Sequence, residues 1–235
     1  GCSCFSRSRR AVLRFSPARE VRDMGPIQTP YPVFLRLEQK LCLVVGGGPV
    51  GERKIEGLIA CGARVKVVSP IATDGIRGMV GDQLEWVARP FEVRDLDGID
   101  LAVAAADLDA INEEVSTEAR KRGIWVNDAT SRERSDYIVP ATVRRGQLDI
   151  AVSTGGGSPA YAKLIREKLE AEFGDEHGEM VALLEELRPK VKRAFSSPAK
   201  RRTFWDRLVT HETLDLIKSG QSNIVKKQVA QWLSS

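Results

Sequence analysis

In the first half of the chain, apolar residues form short continuous runs. In the longer stretches between these runs, an apolar residue recurs every three or four positions. The short runs predict strands and the longer stretches, such as 50–60 and 109–122, predict helices with one buried face. Strands that alternate with helices are typical of a parallel sheet covered on both faces. The pattern therefore predicts an α/β fold with a Rossmann-like parallel sheet. The predicted strands are 31–37, 41–45, 63–69, 84–88, 101–106 and 124–127.

The pattern changes at Tyr137. Residues 141–145 and 147–154 alternate between apolar and polar around Gly146, which predicts two strands joined by a turn. Ser158 and Pro159 then read as an N-cap and a first helical position, so a helix is expected to run to about Phe173. Beyond residue 176 the apolar stripes all have helical spacing. We therefore expect a central α+β segment followed by a helical C-terminal domain.

Three glycines at the end of the second predicted strand carry the main chemical signal. Gly46, Gly48 and Gly51 have G-x-G-x-x-G spacing and stand between a strand and a helix. In a dinucleotide site the first glycine permits a tight turn, the second lets a pyrophosphate approach, and the third lets the helix pack closely. A glycine-rich turn without a ligand is the alternative, but the strand-to-helix context favours dinucleotide binding.

The choice between NAD and NADP stays open at this level. A dinucleotide fold often carries an acidic residue about 20 residues beyond the glycines, where it holds the ribose 2′-hydroxyl. Ser69, Pro70 and Ile71 occupy those positions here, and Asp74 is displaced.

Two further strands should end at the same crevice. Residues 104–106 and the pair Asn127 and Asp128 lie at predicted carboxyl ends, where ligands of open α/β sheets bind. For Asp128 a helix cap or turn role is the alternative. The run 155–157 precedes a capped helix, and it fits either an anion-binding loop or a flexible connection.

Charge and composition narrow the function classes. The net charge is +4, and residues 1–23 account for all of it with six arginines against two acidic residues. The rest of the chain is formally neutral, which argues against nucleic-acid binding. No apolar run approaches the roughly 18 residues of a membrane span. We expect residues 1–30 to be a disordered extension, with Met24 as the true start.

The four cysteines do not form a disulfide framework in a chain of 235 residues. A reducing, cytoplasmic setting is therefore expected. Cys2 and Cys4 lack a second ligand pair nearby, so no metal site is expected.

Several segments together resemble one family. They are YPVFLRLEQKLCLVVGGGPVGERK, the NDA segment at 127–129, YIVPATVRRGQLDIAVSTGGGSPAYAKLIREKLE and RPKVKRAF. In this order and spacing they resemble the precorrin-2 dehydrogenase family, the NAD-binding part of siroheme synthases. The similarity covers about residues 31–210. The methylation that precedes this step is expected to be the task of another polypeptide, because the chain ends shortly after the helical domain.

The resemblance implies a homodimer that oxidises precorrin-2 to sirohydrochlorin with NAD, and in some members inserts ferrous iron as a second substrate. It implies a dinucleotide-binding domain at 31–136, a dimerisation segment at 137–175 and a helical domain at 176–235. The family's crevice aspartate corresponds to Asp128, which is expected to act as general base. Cofactor contacts are expected at Gly46, Gly48, Pro49, Val50, Gly51, Pro70, Ile71 and Ala105.

The substrate of this family carries many carboxylates, so cations and N–H donors should bind it. The candidates are Asn127, Arg144, Arg145, Ser153, Thr154, Gly155, Gly156, Lys163 and Arg166. A different function class stays open, a dinucleotide-sensing module that regulates a partner without catalysis.

Overall fold

The computed structural model describes residues 30–234. The expectations for the N-terminal extension and for Met24 therefore lie outside the described residues, apart from Pro30. The chain divides into two units, Gly1–Pro32 and Val33–Ser235. The elements below all belong to the second unit.

Within the described residues, seven strands and eight α-helices follow one another along the chain. The strands are β1 (Leu41–Val45), β2 (Arg64–Val68), β3 (Leu84–Val87), β4 (Leu101–Ala104), β5 (Trp125–Asp128), β6 (Ala141–Arg145) and β7 (Leu148–Val152). The helices are α1 (Pro49–Ala60), α2 (Asp74–Met79), α3 (Asp109–Lys121), α4 (Pro159–Glu172), α5 (Asp175–Ala194), α6 (Pro198–Leu208), α7 (His211–Lys218) and α8 (Ser222–Leu233).

Among the described residues, five strands form one parallel sheet in the order β3-β2-β1-β4-β5. The chain moves outward from β1 to β3 and then returns to the other side of β1 as β4. The strand order thus reverses beside β1, and ligands of such sheets bind outside the carboxyl ends at this point. The predicted Rossmann-like sheet is confirmed.

Two apolar layers cover this sheet. One lies under α1 and α2 and contains Val44, Ile55 and Ile76, each fully buried. The other lies under α3 and contains Leu43, Val115 and Val126, also fully buried. Because side chains of a strand alternate between faces, Leu43 and Val44 serve opposite layers.

The strand predicted at 31–37 is wrong, since these residues have no regular secondary structure. Pro32 has no N–H with which to join a ladder. Val33 and Phe34 are 56% and 70% exposed, while Leu37 packs against the α1 layer. Only one side chain of the run therefore reaches the core.

The second half has its own core. Strands β6 and β7 pair antiparallel in a hairpin, as predicted, with Arg145 and Leu148 as the last pair before the turn. Helices α4 and α5 pack on this hairpin. A third apolar cluster joins α5 to α8 around Leu187, Leu208 and Val225. No helix within residues 30–234 is long and apolar enough to cross a membrane.

Candidate active site

The turn that follows β1 is held tightly between its two neighbouring strands. Gly46 has φ +120°, and its N–H donates to the Val68 carbonyl at 3.1 Å. A Cβ at Gly46 would lie 2.1 Å from the Ala105 carbonyl oxygen. Only glycine fits this position, because both the conformation and the space exclude a side chain.

The next two glycines differ in what surrounds them. A Cβ at Gly51 would lie 2.3 Å from the Gly46 carbonyl oxygen, whereas one at Gly48 would meet nothing within 4 Å. Gly51 thus lets α1 pack against the turn, and Gly48 borders open space. Gly48 is also the N-cap of α1 and has no side chain with which to cap it. Because Pro49 lacks an N–H, the first-turn donors left for an anion are those of Val50 and Gly51.

The loop after β2 forms the second wall of this crevice. Thr73 N–H donates to the Gly47 carbonyl at 2.9 Å, and a Cβ at Gly47 would lie 2.1 Å from the Ile71 carbonyl oxygen. Pro70 and Ile71 are exposed there, with Ile71 at 73%. The structure therefore brings the predicted positions 70 and 71 beside the glycine turn. Asp74 faces Arg77, at 3.2 Å, and no carboxylate occupies the end of β2 in the described chain.

The loop after β4 closes the crevice on its other side, and an asparagine that sequence reasoning missed holds it. Asn112 is fully buried in α3; its Oδ1 accepts from Ala106 N–H at 2.8 Å and its Nδ2 donates to the Ala106 carbonyl at 2.9 Å. Ala105, a predicted cofactor contact, directly precedes this clamped residue. The sequence signal that could have indicated this role is a polar residue, Asn112, next to the apolar stripe of α3.

Asn127 and Asp128 end β5 side by side, yet their side chains point to opposite faces of the sheet. Asn127 Oδ1 accepts from Lys54 Nζ at 2.9 Å, and its Nδ2 donates to the Tyr137 carbonyl at 3.0 Å. Burial, and then the nearby charge of Arg53, lowers the pKa of Lys54. Lys54 belongs to the GERK segment, but sequence reasoning assigned it no role.

The Asp128 carboxylate lies in a dense set of donors. Oδ1 accepts from Thr130 N–H at 2.8 Å, from Thr130 Oγ1 at 2.7 Å and from Ser131 N–H at 3.1 Å. Oδ2 accepts from Arg134 Nε at 2.6 Å. Burial alone would raise the pKa of Asp128, but the hydrogen bonds from Thr130 and Arg134 lower it below its usual range. The group is therefore an anion at neutral pH.

A second loop lies beside the one that follows Asp128. Between β7 and α4, Ser153 Oγ accepts from Gly155 N–H at 3.1 Å, and Thr154 Oγ1 accepts from Ser158 N–H at 3.1 Å. A Cβ at Gly156 would lie 3.1 Å from the side chain of Arg132. The structure thus brings the predicted loop 153–156 next to the residues that follow Asp128, and the loop is ordered by its own hydroxyl groups.

The four predicted cationic residues do not converge on the crevice. Arg144 pairs with Asp149 at 2.8 Å and also contacts Cys61, which lies at the far end of α1 from Gly48. Arg145 donates to the Glu170 carbonyl at 3.0 Å. The remaining two, Lys163 and Arg166, both face acidic residues of their own helix α4.

The crevice fits a dinucleotide. Gly48 leaves open space at the start of α1, and the N–H groups of Val50 and Gly51 follow in the first turn of that helix. The loops that carry Ile71 and Ala105 lie against the glycine turn, so a pyrophosphate can bind there between two nucleosides. Among residues 30–234, no group of three or more His, Cys, Asp or Glu side chains could hold a metal ion.

Comparison with known families agrees with this arrangement. The family described as "Putative NAD(P)-binding" matches residues 33–141. "Sirohaem biosynthesis protein central" matches residues 145–172, and "Sirohaem synthase dimerisation region" matches residues 176–233. The three matches follow one another along the chain without overlap. A nicotinamide dinucleotide is therefore the cofactor class, without a choice between NAD and NADP.

Individual relatives are similar in the same region. A siroheme synthase of Thioalkalivibrio sulfidiphilus is 37% identical over 206 residues, which are 87% of this chain and 42% of that protein. Siroheme synthase 1 of Aeromonas salmonicida is 40% identical over 184 residues, 78% of this chain and 39% of that protein. The chain thus spans about two fifths of the length of these relatives.

A solved structure of similar size also resembles this chain. The structure titled "SirC, precorrin-2 dehydrogenase" is 26% identical and matches with a TM-score of 0.70. The match covers 86% of this chain and all of that one. The chain therefore belongs to the precorrin-2 dehydrogenase family, which corresponds to the NAD(P)-binding part of siroheme synthases.

Proposed function

We propose that this protein oxidises precorrin-2 to sirohydrochlorin with NAD as hydride acceptor. One observation carries the proposal: the dinucleotide crevice, the Asp128 carboxylate and the ordered loop 153–156 lie together at the carboxyl edge of the sheet. Ala129 N–H donates to the Ala104 carbonyl at 2.8 Å, which joins the Asp128 loop to the crevice wall. Arg132, in the same loop, lies next to Gly156.

The chemistry divides between cofactor and protein. When bound, the nicotinamide accepts a hydride from a carbon of the reduced macrocycle. The backbone N–H groups of Val50 and Gly51 hold the pyrophosphate, and the loops at 69–73 and 104–106 position the two nucleosides. Asp128 accepts the proton that the macrocycle loses as the hydride leaves. The Gly155 to Gly157 backbone and Arg132 bind carboxylates of the substrate.

NAD rather than NADP is part of the proposal and rests on the family resemblance. The described residues do not add to it, because Asp74 is turned to Arg77 and none of them places an acidic group at the end of β2 that would repel a 2′-phosphate. A comparison of kcat/KM for NAD⁺ and NADP⁺ tests this point. An NADP⁺ value equal to or above that for NAD⁺ would contradict it.

We also propose a homodimer built from the three parts 31–136, 137–175 and 176–235. Separate cores support the distinction between the first and the third part, because the sheet layers and the cluster of α5 to α8 share no residue. On α4, Tyr161 and Leu164 share a face and are 56% and 59% exposed, as expected of an apolar surface that a second subunit covers. Light scattering of the wild type and of Leu164→Lys tests this, with a dimer expected only for the wild type.

The decisive experiment is anaerobic incubation with precorrin-2 and NAD⁺, in which NADH and macrocycle absorbance are followed together. NADH and sirohydrochlorin should appear together. Asp128→Asn should lower kcat about 100-fold or more, since general-base catalysis contributes about that much. Asp82→Asn is the matched control, because Asp82 is exposed in the turn before β3.

Two outcomes would contradict the proposal. Full activity of Asp128→Asn would remove this carboxylate from the reaction. Tight NAD⁺ binding without turnover would favour the sensing module instead. Addition of ferrous iron to the same mixture shows whether the protein also makes sirohaem faster than the uncatalysed reaction.

A further inference from the structure

The loop that follows β5 folds its own arginine back onto Asp128. Arg134 stands six residues after Asp128, and its Nε donates to Oδ2 of the carboxylate at 2.6 Å. The turn is held by Ser135, whose Oγ accepts from Asp128 N–H at 2.9 Å and donates to the Ser131 carbonyl at 2.9 Å. Arg134 is thus presented to the carboxylate by an ordered loop.

The two carboxylate oxygens of Asp128 accept different numbers of hydrogen bonds. Among residues 30–234, Oδ1 accepts three hydrogen bonds, from Thr130 N–H, Thr130 Oγ1 and Ser131 N–H, whereas Oδ2 accepts only the one from Arg134. Each carboxylate oxygen has about two lone-pair sites. Oδ2 is therefore the oxygen that has room for a proton. The Asp128 side chain has no exposed surface, however, so a substrate can reach Oδ2 only when a neighbour moves.

Arg134 is the neighbour best placed to move. Its side chain is 23% exposed, and the other donors to Asp128 are backbone N–H groups or the hydroxyl of Thr130. The other end of the guanidinium faces outward: Nη1 donates to Asp109 Oδ2 at 3.2 Å, and Nη2 donates to Asp109 Oδ1. The Asp109 side chain is 68% exposed. Arg134 therefore bridges a buried carboxylate and a carboxylate at the surface.

We propose that Arg134 is a substrate-released counter-ion of Asp128: it holds the carboxylate charged until a carboxylate of the substrate takes its guanidinium and frees Oδ2. This inference rests on the function proposed above. In the step itself, one C–H bond of the macrocycle breaks and its hydrogen leaves as hydride, with the electron pair, for the nicotinamide. A second C–H or N–H bond of the resulting cation then breaks; its electron pair stays in the macrocycle as a new double bond, and its proton goes to Asp128 Oδ2. A tetrapyrrole with many carboxylates supplies the competing anion that such a displacement requires.

Three variants of the full chain test the role of Arg134. Arg134→Gln removes the charge, and Arg134→Lys keeps it without the planar fork. Arg120→Gln is the matched control, because Arg120 ties the same loop through Asp136, at 2.9 Å, without touching Asp128. The charged groups that face Asp128 are Arg134 from its own loop and Asp109 from α3.

The first readout is the carbon-13 resonance of the Asp128 carboxyl between pH 3 and 7, assigned with Asp128→Asn. Arg134→Gln should raise the pKa of Asp128 by about 1 to 3 units, the range that one nearby opposite charge produces. Arg134→Lys should raise it less, and Arg120→Gln should leave it unchanged. This readout needs no turnover, so it does not depend on the proposed function.

The second readout is steady-state turnover of precorrin-2 at saturating NAD⁺. Arg134→Gln should raise KM for precorrin-2 at least about tenfold, as the loss of one charged hydrogen bond predicts, and leave KM for NAD⁺ unchanged. A pKa shift without a change in KM for precorrin-2 would overturn the inference and leave the proposed function intact. No pKa shift would overturn it as well. Absence of turnover by the wild type would refute the proposed function, and the inference with it.

Discussion

A single methyl group should have very different effects on stability when it is added at Gly46 and when it is added at Gly48. A Cβ at Gly46 would lie 2.1 Å from one backbone atom of Ala105 and 2.4 Å from another, at φ +120°. Strained backbone costs about 1–3 kcal/mol and overpacking about 1–3 kcal/mol, so Gly46→Ala should lose about 2–6 kcal/mol of unfolding free energy. A Cβ at Gly48 meets nothing within 4 Å, and its φ of −81° suits alanine. Gly48→Ala should therefore change stability by less than about 1 kcal/mol.

Gly48→Ala should differ from the wild type when NAD⁺ is added. The Gly48 methyl would occupy the space of the pyrophosphate and push it away from the N–H groups of Val50 and Gly51. Loss of one charged hydrogen bond costs about 1.5–3 kcal/mol, so the affinity for NAD⁺ should fall about 10- to 100-fold. At an NAD⁺ concentration of about 100 times the wild-type Kd, the wild type gains about 2.7 kcal/mol. By the same relation Gly48→Ala should gain only about 0.4–1.4 kcal/mol.

Urea unfolding with and without NAD⁺, together with calorimetric titration, measures both effects. Gly48→Ala that binds NAD⁺ as tightly as the wild type would refute the assignment of the pyrophosphate to this turn. Gly46→Ala that unfolds at the wild-type urea concentration would show that the turn relaxes freely. Either result would contradict the reasoning from close approach.

Three further substitutions test other parts of the fold. Asp95, 1% exposed, pairs with Arg89 and has a lowered pKa, so Asp95→Asn should cost about 3 kcal/mol near pH 7 in urea unfolding. The pKa of Asp95 is lower in the folded protein than the value of about 3.9 in the unfolded chain, so the charged group stabilises the fold fully only above about pH 4. The difference in unfolding free energy between the wild type and Asp95→Asn should therefore shrink as the pH falls below about 4. Ser116 Oγ is buried without a hydrogen-bond partner, so Ser116→Ala should keep or raise the melting temperature. Asn112→Ala leaves both polar groups of Ala106 without their partner and should cost about 2–4 kcal/mol and weaken NAD⁺ binding in calorimetry.

The sequence by itself determined the parts of this protein that depend on neighbours along the chain. The run at 41–45, the three glycines and the helix after them form one continuous local unit, and each residue type has a local reason. The same holds for Ser158, whose Oγ accepts from Tyr161 N–H at 3.2 Å, as an N-cap should. Hydrophobic patterning also sufficed for the parallel sheet, because its central strands β1 and β4 are buried on both faces and apolar throughout.

Contacts between distant residues were decided only by the tertiary structure. Lys54 and Asn127 are 73 positions apart, and no local pattern indicates that they meet. Arg134 is only six residues from Asp128, yet the pairing depends on how the intervening loop turns. Arg144 is a predicted substrate ligand by residue type, and only the structure shows that the hairpin places it against Asp149 and Cys61. Residue type shows what a side chain can do, whereas the packing of separate elements decides which partner it meets.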